Sequence, residues 1–432
     1  MFNELINHEK SIAVVGLGYV GLPIANLFSK KFNVIGFDVD KNKIENYKNG
    51  IDLTCELEED ELENSQIYFT HDEKDLKKAS FIVVAVPTPI NDEHNPDFKF
   101  LISACECVGR NLSENSIVVF ESTVYPGITE DLCIPILEEK SNIKCPDDFK
   151  VGFSPERINP GDKTNKIENI TKIVSGIDEK SLKTISQVYD SVLNNGVYET
   201  DSIKVAESAK ILENVTRDVN IALINEFSMI FNRMGINTVD VVEAAGTKWN
   251  FQKYYPGLVG GHCISVDPYY LLYKSKQLNF DPKLMEMSRE INEGLSDFIV
   301  KNIIYTMIDE NINIKGSRVL VLGVTFKENC NDIRNSKIIN VINELANIGI
   351  KVDVYDPFAD KNLVKEFYNI NLVDSYDSKY DVVVIAVAHD DFKNFTLDDL
   401  KNISSNKPVI FDLKSIIPSD IRKSDEITYW SL

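Results

Sequence analysis

The stretch SIAVVGLGYVG, residues 11–21, decides the fold of the first part of the chain. Its opening SIAVV is a continuous apolar run that predicts a buried strand, and the apolar spacing over Val20–Lys30 predicts a helix. Between them, Gly16 suits a tight turn, Gly18 lets a pyrophosphate approach the backbone, and Gly21 lets helix and strand pack closely. The sequence therefore predicts a dinucleotide-binding α/β unit.

An acidic residue favours one dinucleotide over another. Asp38 ends the second predicted strand, Asn33–Asp38, where its carboxylate can accept hydrogen bonds from both ribose hydroxyls. The same carboxylate repels the additional phosphate of NADP, so the pattern favours NAD as the cofactor. A GxGxxG turn alone also occurs without a ligand, but here the strand, the helix and the acid occur together.

The alternation of strands and helices continues through the first half of the chain. Phe81–Val86 and Ile117–Phe120 are further apolar runs, separated by polar segments long enough for helices. Apolar strands that alternate with helices predict a parallel sheet covered on both faces. We place this domain at residues 1–198.

The middle of the chain has a different pattern. Ser202–Met234 contains neither Gly nor Pro and carries apolar residues at helical spacing, which predicts one long helix that forms a spine between domains or a dimer surface. A segment rich in Gly, Pro and aromatic residues, Tyr254–Tyr270, interrupts, and Lys283–Ile308 is predicted to be helical again. We expect an all-helical domain at residues 199–310.

The opening pattern then recurs in the last part of the chain. Ser317–Gly323, Lys351–Asp356, Tyr380–Ala388 and Pro408–Leu413 repeat the strand signals of the first half. We therefore expect a second domain of this kind at residues 311–432. The predicted fold class is α/β, with two Rossmann-like doubly wound parallel-sheet domains joined by a central all-helical domain with a long spine helix.

Composition narrows the function classes. The 46 Lys and Arg residues against 67 Asp and Glu give a formal net charge of −21, which disfavours nucleic acid and anionic membranes as partners. The start of the chain, Met1–Lys10, lacks the apolar core of a signal peptide, and no apolar run approaches the length of a membrane span. These features predict a cytoplasmic protein. The 7 cysteines include no C-x-x-C pair, so neither a disulfide framework nor a metal site is expected.

One cysteine lies among glycines, in YPGLVGGHCISVDP at residues 255–268. Glycines allow backbone and ligand to approach Cys263 closely, and a thiolate can add to an aldehyde and carry the oxidised product as a thioester. A buried structural role for Cys263 is the alternative. Asp267 could move protons or orient water. His262 is adjacent to the thiol and points the opposite way in an extended chain, so a structural or substrate-contact role fits it better than that of a base.

Other polar residues permit two interpretations. Lys210, Asn214 and Arg217 share one face of the long predicted helix, which is either a solvated face or a cation and an amide directed at an oxyanion. Glu156 and Thr123 follow predicted strands and could add polar groups from the carboxyl ends of those strands.

The second α/β unit lacks the glycine fingerprint. Its first turn, Gly323–Lys327, is cationic, and Arg334 follows soon after. This pattern suits an anionic ligand other than a dinucleotide, or else ordinary surface charge.

Taken together, these motifs resemble those of the nucleotide-sugar 6-dehydrogenase family, the UDP-glucose and GDP-mannose dehydrogenase group. The resemblance runs from GLGYVGLP at Gly16 to FDLK at Phe411. The stretches KWNF (Lys248–Phe251), YPGLVGGHCISVDPYYL (Tyr255–Leu271) and SPERINPGD (Ser154–Asp162) look like the branch that acts on UDP-N-acetylhexosamines.

The resemblance implies a role for each matching residue. Cys263 would form the thiohemiacetal and thioester, Lys210 and Asn214 would stabilise the oxyanion, Asp267 would assist through water, Glu156 would act in hydrolysis, and Thr123 would hold water or cofactor. The positions that match cofactor contacts are Gly16, Gly18, Gly21, Asp38, Thr88, Thr123 and Arg334. The positions that match contacts to the UDP-sugar substrate are Lys210, Asn214, Tyr255, Gly260, Lys327 and Lys414.

The implied reaction is a four-electron oxidation of the sugar C6 alcohol by two NAD, and the implied oligomer is a homodimer through the central helices. Pro160 stands where the UDP-glucose branch has a second carboxylate, which argues against UDP-glucose as the preferred substrate. Ser265 stands at a variable position inside the cysteine loop, and we assign no consequence to it. The alternatives are a dehydrogenase of UDP-glucose or another sugar nucleotide, a two-electron hydroxyacid dehydrogenase, and a catalytically silent NAD-binding regulator.

Overall fold

The computed structural model describes residues 1–52, 54, 56–57, 59–157 and 166–432, with the backbone alone at Glu59 and Asp60. The chain forms two compact units. The first comprises Met1–Glu213 and Tyr269–Asn279, and the second comprises Asn214–Pro268 and Phe280–Leu432.

Strands of the described residues fall into one sheet in each unit. In chain order they are β1 (Ser11–Val15), β2 (Asn33–Phe37), β3 (Ile67–Thr70), β4 (Ala79–Val84), β5 (Ile117–Phe120), β6 (Lys150–Phe153), β7 (Lys172–Gly176), β8 (Val197–Glu199), β9 (Arg318–Leu322), β10 (Lys351–Tyr355), β11 (Val382–Ile385), β12 (Val409–Asp412) and β13 (Thr428–Ser431).

Helices connect most of these strands. In chain order they are α1 (Phe2–Ile6), α2 (Gly21–Ser29), α3 (Lys41–Lys48), α4 (Glu59–Glu63), α5 (Lys99–Asn111), α6 (Ile134–Ser141), α7 (Glu179–Asp190), α8 (Ile203–Met234), α9 (Thr238–Ala245), α10 (Asp267–Gln277), α11 (Lys283–Asp309), α12 (Ile338–Asn347), α13 (Lys361–Tyr368), α14 (Leu397–Ile403) and α15 (Ser419–Arg422).

The sheet of the first unit has the order β3-β2-β1-β4-β5-β6-β7-β8. Its strands from β3 to β6 pair in parallel, as the alternating pattern predicts, and Val15, Val84, Phe120 and Phe153 align at one edge. The segments that leave these residues therefore share the carboxyl edge of the sheet, where α/β proteins bind their ligands.

One pair of strands departs from the predicted parallel sheet. β6 and β7 are antiparallel, with Gly152 opposite Gly176. A parallel crossover needs a connection that is usually helical. In the part of the connection that the structure describes, residues 154–157 and 166–171, there is no α-helix. The reversal brings Lys172, the first residue of β7, to the edge where β5 and β6 end.

The sheet of the second unit is parallel, in the order β10-β9-β11-β12-β13. Side chains of β9, among them Val319 and Val321, are fully buried in a core that also contains Leu295 and Ile299 of α11. Gly323, directly after β9, has a φ of +94°, close to the +90° of Gly16 after β1. The predicted second Rossmann-like unit is thus confirmed.

The long predicted helix is α8, which begins in the first unit and continues in the second. The other helix predicted in the middle segment, Lys283–Ile308, is α11, which ends one residue beyond its predicted limit. The sequence did not predict α10, because its residues DPYYLLYKSKQ directly follow a glycine-rich loop. Within the described ranges, no helix is both long and apolar enough to cross a membrane.

Candidate active site

The three glycines of the turn after β1 serve two different purposes. A Cβ atom on Gly16 would lie 2.8 Å from the Ala85 carbonyl oxygen, and one on Gly21 would lie 1.8 Å from the Gly16 carbonyl oxygen. Both positions therefore need glycine for packing. A Cβ atom on Gly18 would meet nothing within 4 Å. The space beside Gly18 is open, which fits the approach of a pyrophosphate to the backbone.

Asp38 is held against this turn. Its carboxylate accepts hydrogen bonds from the Leu17 and Asp40 backbone N–H groups, each at 3.0 Å, and pairs with Lys43 Nζ at 3.0 Å. A carboxylate has about four acceptor positions, so one remains for a ribose hydroxyl. Tyr47, which sequence analysis did not select, donates its hydroxyl to the Leu17 carbonyl at 2.8 Å and fixes the same turn.

The loops that follow β4 and β5 are joined by side-chain hydrogen bonds. Thr88 Oγ1 donates to the Thr123 carbonyl at 2.7 Å, and Ser122 Oγ donates to the Val86 carbonyl at 2.7 Å. Tyr270 of α10 donates its hydroxyl to the Thr88 carbonyl at 2.6 Å. The structure therefore brings Thr88 and Thr123 together at the edge that also carries the glycine turn.

Lys210 forms a buried ion pair in the first unit. Its Nζ lies 3.2 Å from Glu156 Oε2, and both side chains are less than a tenth exposed. The solvated-face interpretation is thus wrong for Lys210, and also for Asn214, which is 7% exposed. It holds for Arg217, which is exposed.

In the second unit, the loop around Cys263 ends at a buried acid. Asn214 Nδ2 donates to Asp267 Oδ2 at 2.5 Å, and the Asp267 backbone N–H donates to the Cys263 carbonyl at 2.8 Å. Asp267 is 2% exposed, whereas Cys263 is half-buried. A partly accessible thiol therefore lies one turn before a buried pair of amide and carboxylate.

Two asparagines that sequence analysis missed fix the same loop. Asn225 Oδ1 accepts from the Gly257 N–H at 2.8 Å, and its Nδ2 donates to the Gly257 carbonyl at 3.1 Å. The Asn335 backbone carbonyl accepts from the Gly261 N–H at 3.3 Å, and Asn335 Nδ2 donates to the Gly261 carbonyl at 3.2 Å. A Cβ on Gly260 would lie 2.5 Å from the same Asn335 carbonyl oxygen. Gly260 is thus required by the close approach of two backbones.

A local signal for Asn225 did exist in the sequence. Buried polar residues continue the Lys210 and Asn214 face along α8, as Asp218, Asn225 and Ser228. Their spacing follows the helical period, so the whole stripe could have been read as a polar interior face.

His262 and Arg334 meet at an acid that the sequence did not indicate. His262 Nε2 lies 3.2 Å from Asp332 Oδ2, and Arg334 donates to both oxygens of Asp332, at 2.9 and 2.8 Å. Burial raises the pKa of Asp332, but the hydrogen bonds from Arg334 and His262 outweigh it and hold that pKa well below its usual range. Within the second unit, the His262 imidazole and the Arg334 guanidinium are thus both directed at Asp332.

The first turn of the second unit is held by Asp356, whose carboxylate has all its acceptor positions filled by hydrogen bonds within the protein. Asp356 accepts from the Val324, Thr325, Phe358 and Ala359 N–H groups and lies 3.2 Å from His389 Nε2. Asp356 occupies the place that Asp38 has in the first unit, after the second strand of the sheet. Because its acceptor positions are filled from within the protein, the Asp356 carboxylate keeps none for a ribose hydroxyl.

The remaining predicted contact residues lie near this turn or near the cysteine loop. Lys414 Nζ lies 3.4 Å from where a Cβ on Gly257 would stand. The carbonyl of Lys327 accepts from Thr325 Oγ1 at 2.9 Å. Tyr255 is partly exposed and donates its hydroxyl to Glu243 at 2.5 Å. Pro160, the predicted departure from the UDP-glucose branch, lies outside the described residues.

No group of three or more His, Cys, Asp or Glu in the described parts of the chain is arranged to hold a metal ion. The groups described in the two units are instead cations, amides, carboxylates and one thiol. Cations and amides can bind anions and stabilise the negative charge that develops on a carbonyl oxygen.

Comparison with known proteins identifies the domains that carry these residues. Residues 10–193 match the NAD binding domain of the UDP-glucose/GDP-mannose dehydrogenase family, residues 204–294 its central domain, and residues 320–419 its UDP binding domain.

Similar full-length proteins are found among curated relatives. Protein CapL of Staphylococcus aureus is 48% identical over 95% of this chain and 97% of that protein. UDP-N-acetyl-D-glucosamine 6-dehydrogenases of Salmonella typhi and Pseudomonas aeruginosa are 47% and 44% identical, each over 96% of this chain and 99% of the relative.

A solved structure extends the agreement to the fold. The UDP-D-ManNAc dehydrogenase of Pyrococcus horikoshii superposes with a TM-score of 0.89 and 29% identity, over 98% of both chains. The predicted family, fold class and cofactor are therefore confirmed. The chain belongs to the UDP-glucose/GDP-mannose dehydrogenase family and is an NAD-dependent UDP-sugar dehydrogenase.

Proposed function

We propose that this enzyme oxidises the C6 alcohol of a UDP-N-acetylhexosamine, UDP-GlcNAc or UDP-GalNAc, to the uronate in two oxidations at one site. The relatives from Salmonella typhi and Pseudomonas aeruginosa, which are named for UDP-N-acetyl-D-glucosamine, support the substrate class. The observation that carries the mechanism is the half-buried thiol of Cys263 beside the buried Asn214–Asp267 pair.

The NAD site is formed by the first unit. The open space at Gly18, the turn at Gly16 and the remaining acceptor position of Asp38 fit a dinucleotide, and Thr88 and Thr123 border the same edge. NAD supplies a hydride acceptor for each oxidation when it is bound.

Cys263 is the nucleophile of the proposed reaction. Its sulfur forms a bond to the C6 aldehyde carbon, whose oxygen takes up a proton to give a thiohemiacetal. Loss of a hydride from that carbon and of a proton from its hydroxyl oxygen then gives the thioester. Water next adds to the thioester, the carbon–sulfur bond breaks, and the products are a carboxylate and the free thiol. The covalent bond retains the aldehyde between the two oxidations.

Lys210 and Asn214 supply the groups that stabilise the oxyanion. An ammonium has three donors and a primary amide has two. Lys210 directs one donor at Glu156, and Asn214 uses Nδ2 to bind Asp267, so both side chains are fixed in orientation. Donors fixed in this way need little reorganisation as charge develops.

Three further residues handle water and protons in this proposal. Glu156 accepts the proton of the water that attacks the thioester, Asp267 orients water, and Thr123 holds water or cofactor. Both acids are buried and anchored by the cation or amide next to them, which fixes their orientation. Arg334 remains a proposed cofactor contact.

The UDP group is proposed to bind in the second unit. Lys327, Lys414 and the backbone of residues 255–260 form its contacts, and a chain with a net charge of −21 needs such local cations to bind a diphosphate. The occupied carboxylate of Asp356 fits this assignment, because it leaves the turn to position Lys327 rather than to bind a ribose.

Replacement of Lys327 by alanine tests this assignment. We expect the Kd for the UDP-sugar to rise by about tenfold to a hundredfold through loss of a charge-assisted contact to phosphate. The Kd for NAD should change by less than about twofold, because the glycine turn belongs to the first unit. Titration calorimetry with each ligand separately measures both constants. Equal losses for the two ligands would contradict the placement of the UDP group.

Counting NADH tests the function itself. UDP-GlcNAc, UDP-GalNAc and UDP-glucose are each supplied in limiting amount with excess NAD, and the NADH formed per sugar is measured together with the product. The proposal requires two NADH and one uronate per N-acetylhexosamine, with slower initial rates on UDP-glucose. One NADH per sugar would indicate the two-electron alternative, and no turnover on any sugar nucleotide would indicate the silent regulator.

Three further expectations belong to the same proposal. The uronate would serve a surface polysaccharide, and the enzyme would act in the cytoplasm as a homodimer through the central helices. Several large apolar side chains of α8, including Leu223, Phe227 and Ile230, are at least two-fifths exposed. Such a face on a long helix suits burial against a second copy.

A further inference from the structure

A second buried ion pair lies at the carboxyl edge of the first sheet, and the reaction described above does not use it. Lys172 Nζ lies 2.5 Å from Glu121 Oε2, and Tyr189 donates its hydroxyl to the other oxygen, Oε1, at 2.5 Å. The side chain of Lys172 is 4% exposed and that of Glu121 is fully buried.

Lys172 also contacts the segment that carries Glu156. Its Nζ donates to the Pro155 carbonyl at 3.0 Å, directly before Glu156 in the chain. Ser154 is anchored to the same strand as Lys172, because its Oγ donates to the Ile173 carbonyl at 2.7 Å. The start of β7 therefore fixes the two residues before Glu156.

Stability alone does not explain this ion pair. Removing two charges from water costs several kcal/mol for each ion, and well-packed apolar side chains of similar size are often at least as stable. Lys172 instead makes a directed contact that an apolar side chain could not make, the hydrogen bond to the Pro155 carbonyl.

We propose that Lys172, held by Glu121, is a positioning residue for Glu156. The ammonium fixes the Pro155 peptide, and this sets the direction in which Glu156 leaves the sheet edge toward Lys210. The inference rests on the proposed role of Glu156 in thioester hydrolysis.

Lys172 has an electrostatic effect as well. Burial raises the pKa of Glu121, Lys172 lowers it in opposition, and the neighbouring Glu156 raises it further. The two carboxylates thus lie within reach of each other's charge. Lys172 compensates the charge of Glu121, and the ammonium of Lys210 pairs with Glu156.

A change at Lys172 should therefore affect one half of the reaction. The two oxidations depend on Cys263, Lys210 and Asn214, whereas the release of the acid depends on the orientation of Glu156. With Glu156 misplaced, thioester forms at close to the normal rate and water attacks it slowly. The enzyme should then release about two NADH per site in a rapid burst, followed by slow turnover.

The double variant Lys172→Met/Glu121→Gln tests this inference without leaving an unpaired buried charge. We expect kcat to fall by about tenfold or more, with kcat/KM for the UDP-sugar and for NAD within about twofold of the wild type, because the steps up to the thioester are unchanged. Stopped-flow absorbance of NADH should show the burst, and acid quenching should trap sugar bound to Cys263. If the double variant does not fold, the isosteric Glu121→Gln is measured in its place. It removes the carboxylate that holds the Lys172 ammonium next to the Pro155 carbonyl, so the same burst is expected.

Tyr189→Phe is the matched control. It removes an equally buried hydrogen bond to Glu121 but keeps the contact of Lys172 with Pro155, so its kcat should stay within about twofold of the wild type. A double variant with unchanged kcat, or one that loses kcat without a burst, would overturn the role of Lys172. Failure of the wild-type enzyme to form two NADH would instead overturn the proposed function.

Discussion

Replacement of Cys263 by serine is expected to abolish uronate formation, with a loss of kcat of about 10³-fold or more. A hydroxyl is a far weaker nucleophile than a thiolate at neutral pH, and its adduct cannot be oxidised to a thioester. The proposed oxyanion donors, Lys210 and Asn214, are unchanged in this variant, so the substrate should still bind. The Kd for NAD should stay within about twofold of the wild type, because the glycine turn is formed by the first unit.

The measurement combines NADH formation, uronate detection and an NAD titration on the same preparation. Cys145→Ser is the matched control, since Cys145 is also half-buried but lies outside the glycine loop. Burial raises the pKa of the Cys145 thiol to about 11, which makes it a poor nucleophile. Uronate production by the Cys263 variant at a rate close to that of the wild type would remove the covalent mechanism.

Local patterns in the sequence were sufficient to predict the parts of the fold that depend on neighbouring residues. The strand at Ser11–Val15 was predicted with its observed limits, and α8 begins one residue after its predicted start. In both cases continuous or periodic apolar residues report burial directly. The antiparallel pairing of β6 with β7 could not be predicted, because it depends on which strands meet after a long connection.

The candidate site was predictable only to the extent that each residue has a local motif. Cys263 lies among glycines that are visible in the sequence, and the structure shows what those glycines contact. Its anchors Asn225 and Asn335 are distant in sequence; Asn335 has no motif of its own, and Asn225 is indicated only by the polar stripe of α8. Asp332 was missed because only the fold brings His262, 70 residues away in the chain, to its carboxylate.

Asp38 and Asp356 illustrate why a pattern does not fix a role. Both end the second strand of a Rossmann-like sheet, in the similar sequences NVIGFD and KVDVYD. Asp38 keeps an acceptor position for a ligand, whereas all the acceptor positions of Asp356 are filled by backbone N–H groups and by His389. The difference lies in the turn that each carboxylate faces, which the strand pattern does not report.

The glycine turn permits the other prediction with a large effect, a comparison of Gly18→Ala with Gly21→Ala. A methyl group on Gly18 meets open space, so the free energy of unfolding should change by less than about 1 kcal/mol. The same methyl group would occupy the space through which the pyrophosphate approaches. The Kd for NAD should therefore rise by about tenfold or more, while binding of the UDP-sugar is retained.

Gly21→Ala should instead lower the free energy of unfolding. Its Cβ would stand 1.8 Å from the Gly16 carbonyl oxygen, so the start of α2 must move away from β1. We expect a loss of about 3 kcal/mol or more in the free energy of unfolding, at the upper end of the cost of overpacking. Urea unfolding and NAD titration of both variants separate the two effects. Wild-type affinity for NAD in Gly18→Ala would contradict the binding of the pyrophosphate at this turn, and wild-type stability in Gly21→Ala would contradict the close packing of α2 on β1.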